Sequence, residues 1–344
     1  MYQKLLRPLL FRFDPEAIHH FVSLMLRAMM PVPLLGSLIR KYYTIADPRL
    51  EREVFGIRFP NPVGMAAGFD KEANLYNHLR GLGFGFIEIG TVTPVGQPGN
   101  PKPRLFRLPQ DQALINRMGF NNQGVEQFVR NLKKQQPRII IGGNIGKNTD
   151  TPQEKAVDDY CACFTALFDH VDYFVVNVSC PNIAGLSKMQ DKDQLIALLS
   201  AIQEINQQKP SPKPVLLKIA PDLNNLQLDE VVEIIQQTSL NGIIATNTTT
   251  SRENLETPAA KVESIGRGGL SGKPIRDLST QVIAYLHQKS GGSIPIIGVG
   301  GIMTPQDALD KIQAGATLVQ VYTGFIYSGP SLVKRINKAL LKSL

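Results

Sequence analysis

The chain has no tryptophan, three cysteines and five histidines. Cys161, Cys163 and Cys180 are too few and too clustered to form a disulfide framework, which points to a reducing compartment. Cys161 and Cys163 stand two apart in an expected helix, where such positions do not share a face. Packed thiols are therefore expected, with no metal site and no iron–sulfur cluster. No stretch reaches the roughly 18 uncharged apolar residues that a spanning helix needs, because Arg27, Pro31 and Pro33 interrupt the best candidate. The amino terminus lacks an apolar core followed by a small-residue cleavage site, so a signal peptide is not expected and the chain is placed on the cytoplasmic side. Without tryptophan or interleaved basic and aromatic residues, nucleic acid is set aside as a partner.

Acidic residues are in deficit, 29 against 37 basic ones, for a net charge of +8. Residues 1–45 hold six basic side chains (Lys4, Arg7, Arg12, Arg27, Arg40 and Lys41) against Asp14 and Glu16, a local +4. Asp14 suits an N-cap and Pro15 a first helical position. Ile18, Phe21, Val22, Met25 and Met29 follow at helical spacing. After PVP, a second stripe is formed by Leu34, Leu35, Leu38, Ile39 and Tyr42. Two short amphipathic helices with a basic excess are expected to lie on an anionic membrane surface. Residues 1–45 are read as this appendage and 46–344 as one catalytic domain.

What the chain has in quantity is short β-branched runs, each ending at a residue suited to touching a ligand. NPVGMAAGFDK (61–71), FIEIGT (86–91), IIIGGN (139–144), YFVVNVS (173–179), VLLKIA (215–220), GIIATNT (242–248), PIIGVGG (295–301) and LVQVYTG (318–324) make eight. Apolar strands alternating with helices predict a parallel sheet covered on both faces. Eight such units predict a (β/α)8 TIM barrel of the α/β class, with its chemistry at the carboxyl ends of the strands. Those ends carry Lys71, Thr91, Asn144, Asn177, Lys218, Asn247, Gly301 and Thr323. Two long insertions, 92–138 and 249–294, are expected to build or cover the site.

The strand–glycine–helix passage GVGGIMTPQDALDKI (298–312), with Thr304 as cap and Pro305 at the helix start, and YTGF (322–325) predict a phosphate cradle. Asn116, Asn144, Asn177, Asn182 and Asn247 supply amides matched to the alternating N–H and C=O groups of an imide or pyrimidine. Lys218 ends an apolar strand and demands an anionic neighbour. A reduced flavin, an enolate or a Schiff-base substrate would serve. Lys71 either serves the site or faces solvent beside Asp70. Cys180, in NVSCPN, suits a general base because a thiol titrates closer to neutrality than a serine hydroxyl.

AAGFDK, EIGTVTP, PRLFRLP, INRMGFNN, NIGKN, NVSCPN, KIAPD, ATNTT, GGLSG, PIIGVGGI and VYTGF, in that order over nearly the whole chain, closely resemble dihydroorotate dehydrogenase. The N-terminal helical extension and the absence of cluster-binding cysteines resemble its quinone-linked, membrane-associated class 2. The resemblance implies one FMN per chain, held by Ala67, Gly68, Phe69, Asp70, Lys71, Thr91, Asn144, Asn177, Lys218, Thr246, Gly272, Gly301, Tyr322 and Thr323. It implies dihydroorotate or orotate contacts from Lys71, Asn116, Arg117, Met118, Gly119, Phe120, Asn177, Asn182, Asn247 and Thr248. Cys180 would take a proton from C5 of the substrate while a hydride leaves C6, and Lys218 would offset the charge of the reduced flavin. A membrane quinone would then be reached through the N-terminal helices past His19 (or His20), Arg107 and Tyr322. Peripheral attachment to the cytoplasmic face of the cell membrane follows. One position departs from the pattern: the quinone-linked class usually has serine where this chain has Cys180. Cysteine is the habit of the soluble class, which uses fumarate or a nicotinamide-linked partner.

Overall fold

The computed structural model describes residues 2–135, 137–178 and 189–343, with 189–191 described as backbone only. Cys180 and Asn182 lie outside the described residues. Eight parallel strands close into a barrel: β1 (Val63–Asp70), β2 (Phe86–Val92), β3 (Ile140–Ile145), β4 (Tyr173–Asn177), β5 (Val215–Ile219), β6 (Gly242–Ala245), β7 (Ile296–Val299) and β8 (Leu318–Val321). β8 pairs with β1 through Val319↔Val63, Gln320↔Gly64 and Val321↔Met65, which shuts the ring. All eight expected strands are present, and closure leaves the barrel itself without an edge strand.

The period-2 alternation of each strand sorts its residues between two cores. Ile87, Ile141, Phe174, Val176, Leu217, Ile243 and Val319 face the surrounding helices. Phe86, Tyr173, Val175, Leu216, Ile244, Ile297 and Leu318 fill the barrel interior. A hairpin of Arg52–Val54 and Ile57–Phe59 plugs the amino end, where fully buried Phe59 packs edge-on against Phe86 at 5.2 Å and Tyr173 at 6.5 Å. Above this apolar layer, the same inward rows carry Glu88, Asn144, Asn177, Lys218 and Gln320, all buried. The interior therefore changes from hydrocarbon to polar along its axis, and the polar end is the carboxyl end.

The two long insertions meet there. Gly269–Gly272, from the second, pairs antiparallel with Ala113–Asn116 of the first, which in turn pairs with Leu105–Leu108. A further ribbon joins Val95–Gln97 to Asn122–Gly124. These strands are too short and too polar to be read as strands in the sequence.

Helix α1 (Pro15–Met29) starts as expected, with the Asp14 carboxylate accepting the Ala17 amide at 2.8 Å. Helix α2 (Pro33–Tyr43) follows after a bend of 113°. No described helix is by itself long and apolar enough to cross a membrane, although this bent pair passes the test of length and composition together. The single stripe read along α1 divides into two faces. Ile18, Val22, Leu26 and Met29 line an internal passage, whereas Phe21 and Met25 stand outside it and are exposed. On α2 only Ile39 of the expected stripe lines that passage, and Leu34, Leu35, Leu38 and Tyr42 are exposed.

Candidate active site

At the centre of the polar layer sits Glu88, fully buried on β2. Its carboxylate accepts the Asn144 amide at 2.6 Å and the Gln320 amide at 2.5 Å, and lies 3.6 Å from the Lys218 ammonium. An isolated buried ion is costly, and here the cost is offset by pairing and by hydrogen bonds on both oxygens. The anion that Lys218 demanded is thus a residue of this chain. Apolar periodicity does not single out the glutamate inside FIEIG; its signal in the sequence is a lone charge in the middle of a barrel strand.

A ladder of amides rises from this pair. Thr91 donates its hydroxyl to Asn144, and Asn177 donates to Thr91 at 3.0 Å and to Asn144 at 3.3 Å. Asn247 donates to Asn177 at 3.4 Å and accepts the Thr248 amide at 2.9 Å. Asn144 lies below the cavity floor, behind Thr91 and Asn177. The other expected flavin contacts line the cavity itself: Ala67, Gly68, Phe69, Asp70, Lys71, Thr91, Asn177, Lys218, Thr246, Gly272, Gly301, Tyr322 and Thr323. At Gly68 the backbone takes φ +92°, a conformation that side chains rarely adopt.

Three expected residues are engaged differently from the sequence reading. Asp70 spends its carboxylate on the amides of Asn74, Leu75 and Tyr76, each at 2.8 Å, and burial pushes its pKa up to about 6. Lys71 is therefore not its solvent-facing partner. It donates to Asn121 at 2.7 Å, and burial, aided by the Arg104 charge, lowers its pKa to about 8. Arg117 holds the carbonyls of Ile265 and Pro103 and stacks on Phe106. Its guanidinium is thus part of the scaffold for Met118, Gly119 and Phe120, whose last two carbonyls are held by Gln97 at 3.0 and 3.2 Å.

The strand–glycine–helix passage is arranged differently from the expectation. Helix Pro305–Gln313 is capped by its own residues, since Asp307 accepts the amides of Met303 and Thr304 and pairs with the Thr304 hydroxyl. Its start does not line the cavity; Gly300, Gly301, Gly272 and the turn Tyr322–Gly324 do. Gly301 has φ +71°, and a Cβ there would fall 2.3 Å from the Arg276 Cα. Backbone amides with no carboxylate among these residues suit an anion such as phosphate. Together with the ring of amides and a lysine, this donor set fits a planar heterocycle carrying a phosphate.

The cavity, about 2170 Å³, continues from this ring to α1 and α2. Phe69 stands at the junction, edge-on to His19 at 4.8 Å, Tyr322 at 5.8 Å and Phe325 at 5.6 Å. Of the two histidines, His19 packs inward, and burial with the nearby Lys71 charge lowers its pKa to about 4; the His20 side chain is 71 % exposed. Arg107 donates to the Phe13 carbonyl at 2.7 Å and lies over the Phe11 ring at 4.5 Å. Tyr322 donates to the Gly68 carbonyl at 3.4 Å, and burial raises its pKa to about 12. His19, Arg107 and Tyr322 therefore line one passage.

The family model for dihydroorotate dehydrogenase matches residues 49–344. The chain belongs to the dihydroorotate dehydrogenase family. A protein of Christiangramia forsetii named Dihydroorotate dehydrogenase (quinone) is 57% identical over 342 residues, covering 99% of both chains. One of the same name from Thermosynechococcus vestitus is 48% identical, covering 99% of this chain and 96% of its own. Among solved structures, ligand-free DHODH from Eimeria tenella superposes with a TM-score of 0.83 at 35% identity, covering 96% of this chain and 95% of that one. Its complex with ferulenol gives 0.82 at the same identity, covering 96% of this chain and 91% of that one. The dihydroorotate dehydrogenase assignment thus rests on nearly the full length, N-terminal helices included.

One residue that the sequence reading counted only as a charge ties those helices to the barrel. Glu16, buried on α1, pairs with buried Arg104 at 2.8 Å and with Lys102 at 3.4 Å. Arg104 in turn holds the carbonyls of Pro98 and Asn100 at 2.6 and 2.9 Å. Asn100 donates its backbone amide to the Met118 carbonyl at 3.1 Å and its side-chain amide to the Arg117 carbonyl at 2.8 Å.

Proposed function

We propose that this dihydroorotate dehydrogenase oxidises (S)-dihydroorotate to orotate with one FMN per chain and passes the electrons to a membrane quinone, in UMP biosynthesis. The observation that carries the reading is the single cavity joining the amide–lysine ring to the passage beneath α1 and α2. When bound, FMN supplies the hydride acceptor for substrate and the electron donor for quinone. Thr91, Asn177, Lys218 and Thr246 would hold its ring, and Gly272, Gly301, Tyr322 and Thr323 its phosphate end. Lys71, Asn116, Asn177, Asn182, Asn247 and Thr248 would orient the pyrimidine, with Met118–Phe120 as its cover. Cys180 would take the C5 proton. Lys218, paired with Glu88, places positive charge where negative charge develops on reduction. His19, Arg107 and Tyr322 would line the quinone passage.

Peripheral attachment to the cytoplasmic face of the cell membrane is part of the proposal. Among the described residues, twelve of the fifteen exposed large apolar side chains fall between Leu5 and Tyr42, on the segment with the local +4 charge. Exposed apolar area beside basic residues favours an anionic lipid surface. Cys180, in a position where the quinone-linked class has serine, favours a second reading with a soluble acceptor. Stopped-flow spectra of the purified protein decide between them. Dihydroorotate should bleach the flavin band, and a short-chain quinone should restore it much faster than fumarate or NAD+. Restoration by fumarate or NAD+ alone would favour the soluble acceptor, and a protein without a flavin band would overturn both readings.

A further inference from the structure

Lys311, on the helix behind β7, is fully buried and has no part in the chemistry described so far. Its ammonium donates to the Arg276 carbonyl at 3.4 Å, the Ser279 hydroxyl at 3.0 Å and the Thr280 hydroxyl at 3.1 Å. All three partners are neutral. Asp307, Asp277 and Asp310 act on it through space as acids and Arg276 as a cation, yet none of the described carboxylates comes within ion-pair distance of it. Asp277 pairs with Arg276, and Asp307 is occupied by Met303 and Thr304. A buried lysine is rarely left without an anion. Burial lowers its pKa to about 8, as expected of an ammonium short of a counter-charge.

Its position says where that counter-charge belongs. The Lys311 stem passes under β7, where a Cβ on Gly298 would lie 3.5 Å from its own. Its partners stand directly behind the glycine cradle: Ser279 donates to the Val299 carbonyl at 2.7 Å and would meet a Cβ on Gly300 at 3.0 Å, while Arg276 abuts Gly301. One layer of neutral oxygens and backbone thus separates the ammonium from the amides of Gly300 and Gly301. We propose that Lys311 is a positioning residue for the FMN phosphate, its buried charge favouring an anion on the glycine loop that it never touches. The cradle itself offers only uncharged donors, backbone amides and the hydroxyls of Ser271 and Thr323, so this residue would supply the net positive charge that a phosphate requires.

The inference rests on the flavin reading above, and the test separates the two. Full-length chain stripped of flavin is titrated with FMN and, separately, with riboflavin, which lacks the phosphate. Lys311→Met should weaken FMN binding by about tenfold or more, the scale of one partly shielded charge interaction. Riboflavin binding should change by less than about twofold, and Lys311→Arg should recover part of the FMN preference. Equal losses for both flavins, or none, would overturn the inference. In the unaltered protein, NMR of labelled lysine side chains gives a second reading free of folding effects. Lys71 and Lys311 both titrate near 8, and the signal missing from Lys311→Met identifies the second; it should move upward with FMN and stay with riboflavin, and the same titration with both would also overturn the inference. Unaltered protein that binds neither flavin would overturn the flavin reading, and this inference with it.

Discussion

Replacing Glu88 by alanine removes the ion-pair partner of Lys218 and the acceptor of two buried amides at once. Breaking a buried pair from one side costs about 3–5 kcal/mol, far more than the pair itself contributes. Glu88→Ala should therefore lower the unfolding free energy from denaturant titration by that amount, and Glu88→Gln by clearly less; equal, small losses would show that the pair is not the support of the barrel centre. His19 offers a pH signature. Its folded pKa of about 4 lies below the ordinary 6.5, so the unfolded chain binds more protons between those values. The stability this contributes is full above about 6.5 and is lost as pH falls toward 4. Between pH 7 and 5 the parent should lose about 1–2 kcal/mol more than His19→Leu in parallel unfolding curves. A matched pH dependence would place His19 in solvent. For Cys180, substitution by alanine should sharply slow flavin bleaching by dihydroorotate while FMN stays bound. Serine at that position should keep some activity with its pH profile displaced upward. An alanine variant at the parental rate would remove Cys180 as the base.

At the scale of elements, the eight barrel strands were legible because each is a short apolar run that stops at a polar or glycine residue. α1 and α2 were legible from their caps and periodicity, but not the split of α1 into an inner and an outer face. Helical spacing reports that a face is apolar; it does not say which part meets protein. Nor did it show that Thr304 and Asp307 close their own helix end, since capping residues and phosphate-binding starts look alike in sequence. The small strands of the insertions pair across about 150 residues, as in Gly269 with Asn116, and such long-range register has no local signal. Glu16 changes what removal of α1 should do. Deleting residues 1–45 should slow reoxidation by quinone steeply and weaken binding to anionic vesicles. It also strips Arg104 of its partner, and through Asn100 loosens the Arg117–Met118 carbonyls. The KM for dihydroorotate should then rise severalfold with FMN affinity little changed, and Glu16→Gln alone should reproduce part of that rise. An unchanged KM in both variants would show the substrate loop to be independent of α1.

For the molecule as a whole, the polar cluster within the barrel has a meaning for assembly that is separate from catalysis. Glu88, Asn144, Lys218 and Gln320 come from β2, β3, β5 and β8, strands spread around the ring. Side chains alternate strictly between the two faces of a strand, so sliding any of these strands by one residue would turn its polar group out into hydrocarbon and strand its partners inside. Hydrophobic pattern alone discriminates poorly here, because both faces of every strand are apolar and a slipped strand would still bury isoleucines and valines. The four polar groups supply the missing discrimination: only one alignment of the ring lets all of them find each other. The cluster acts as a check on correct closure, rejecting near-miss barrels that oily side chains by themselves would accept.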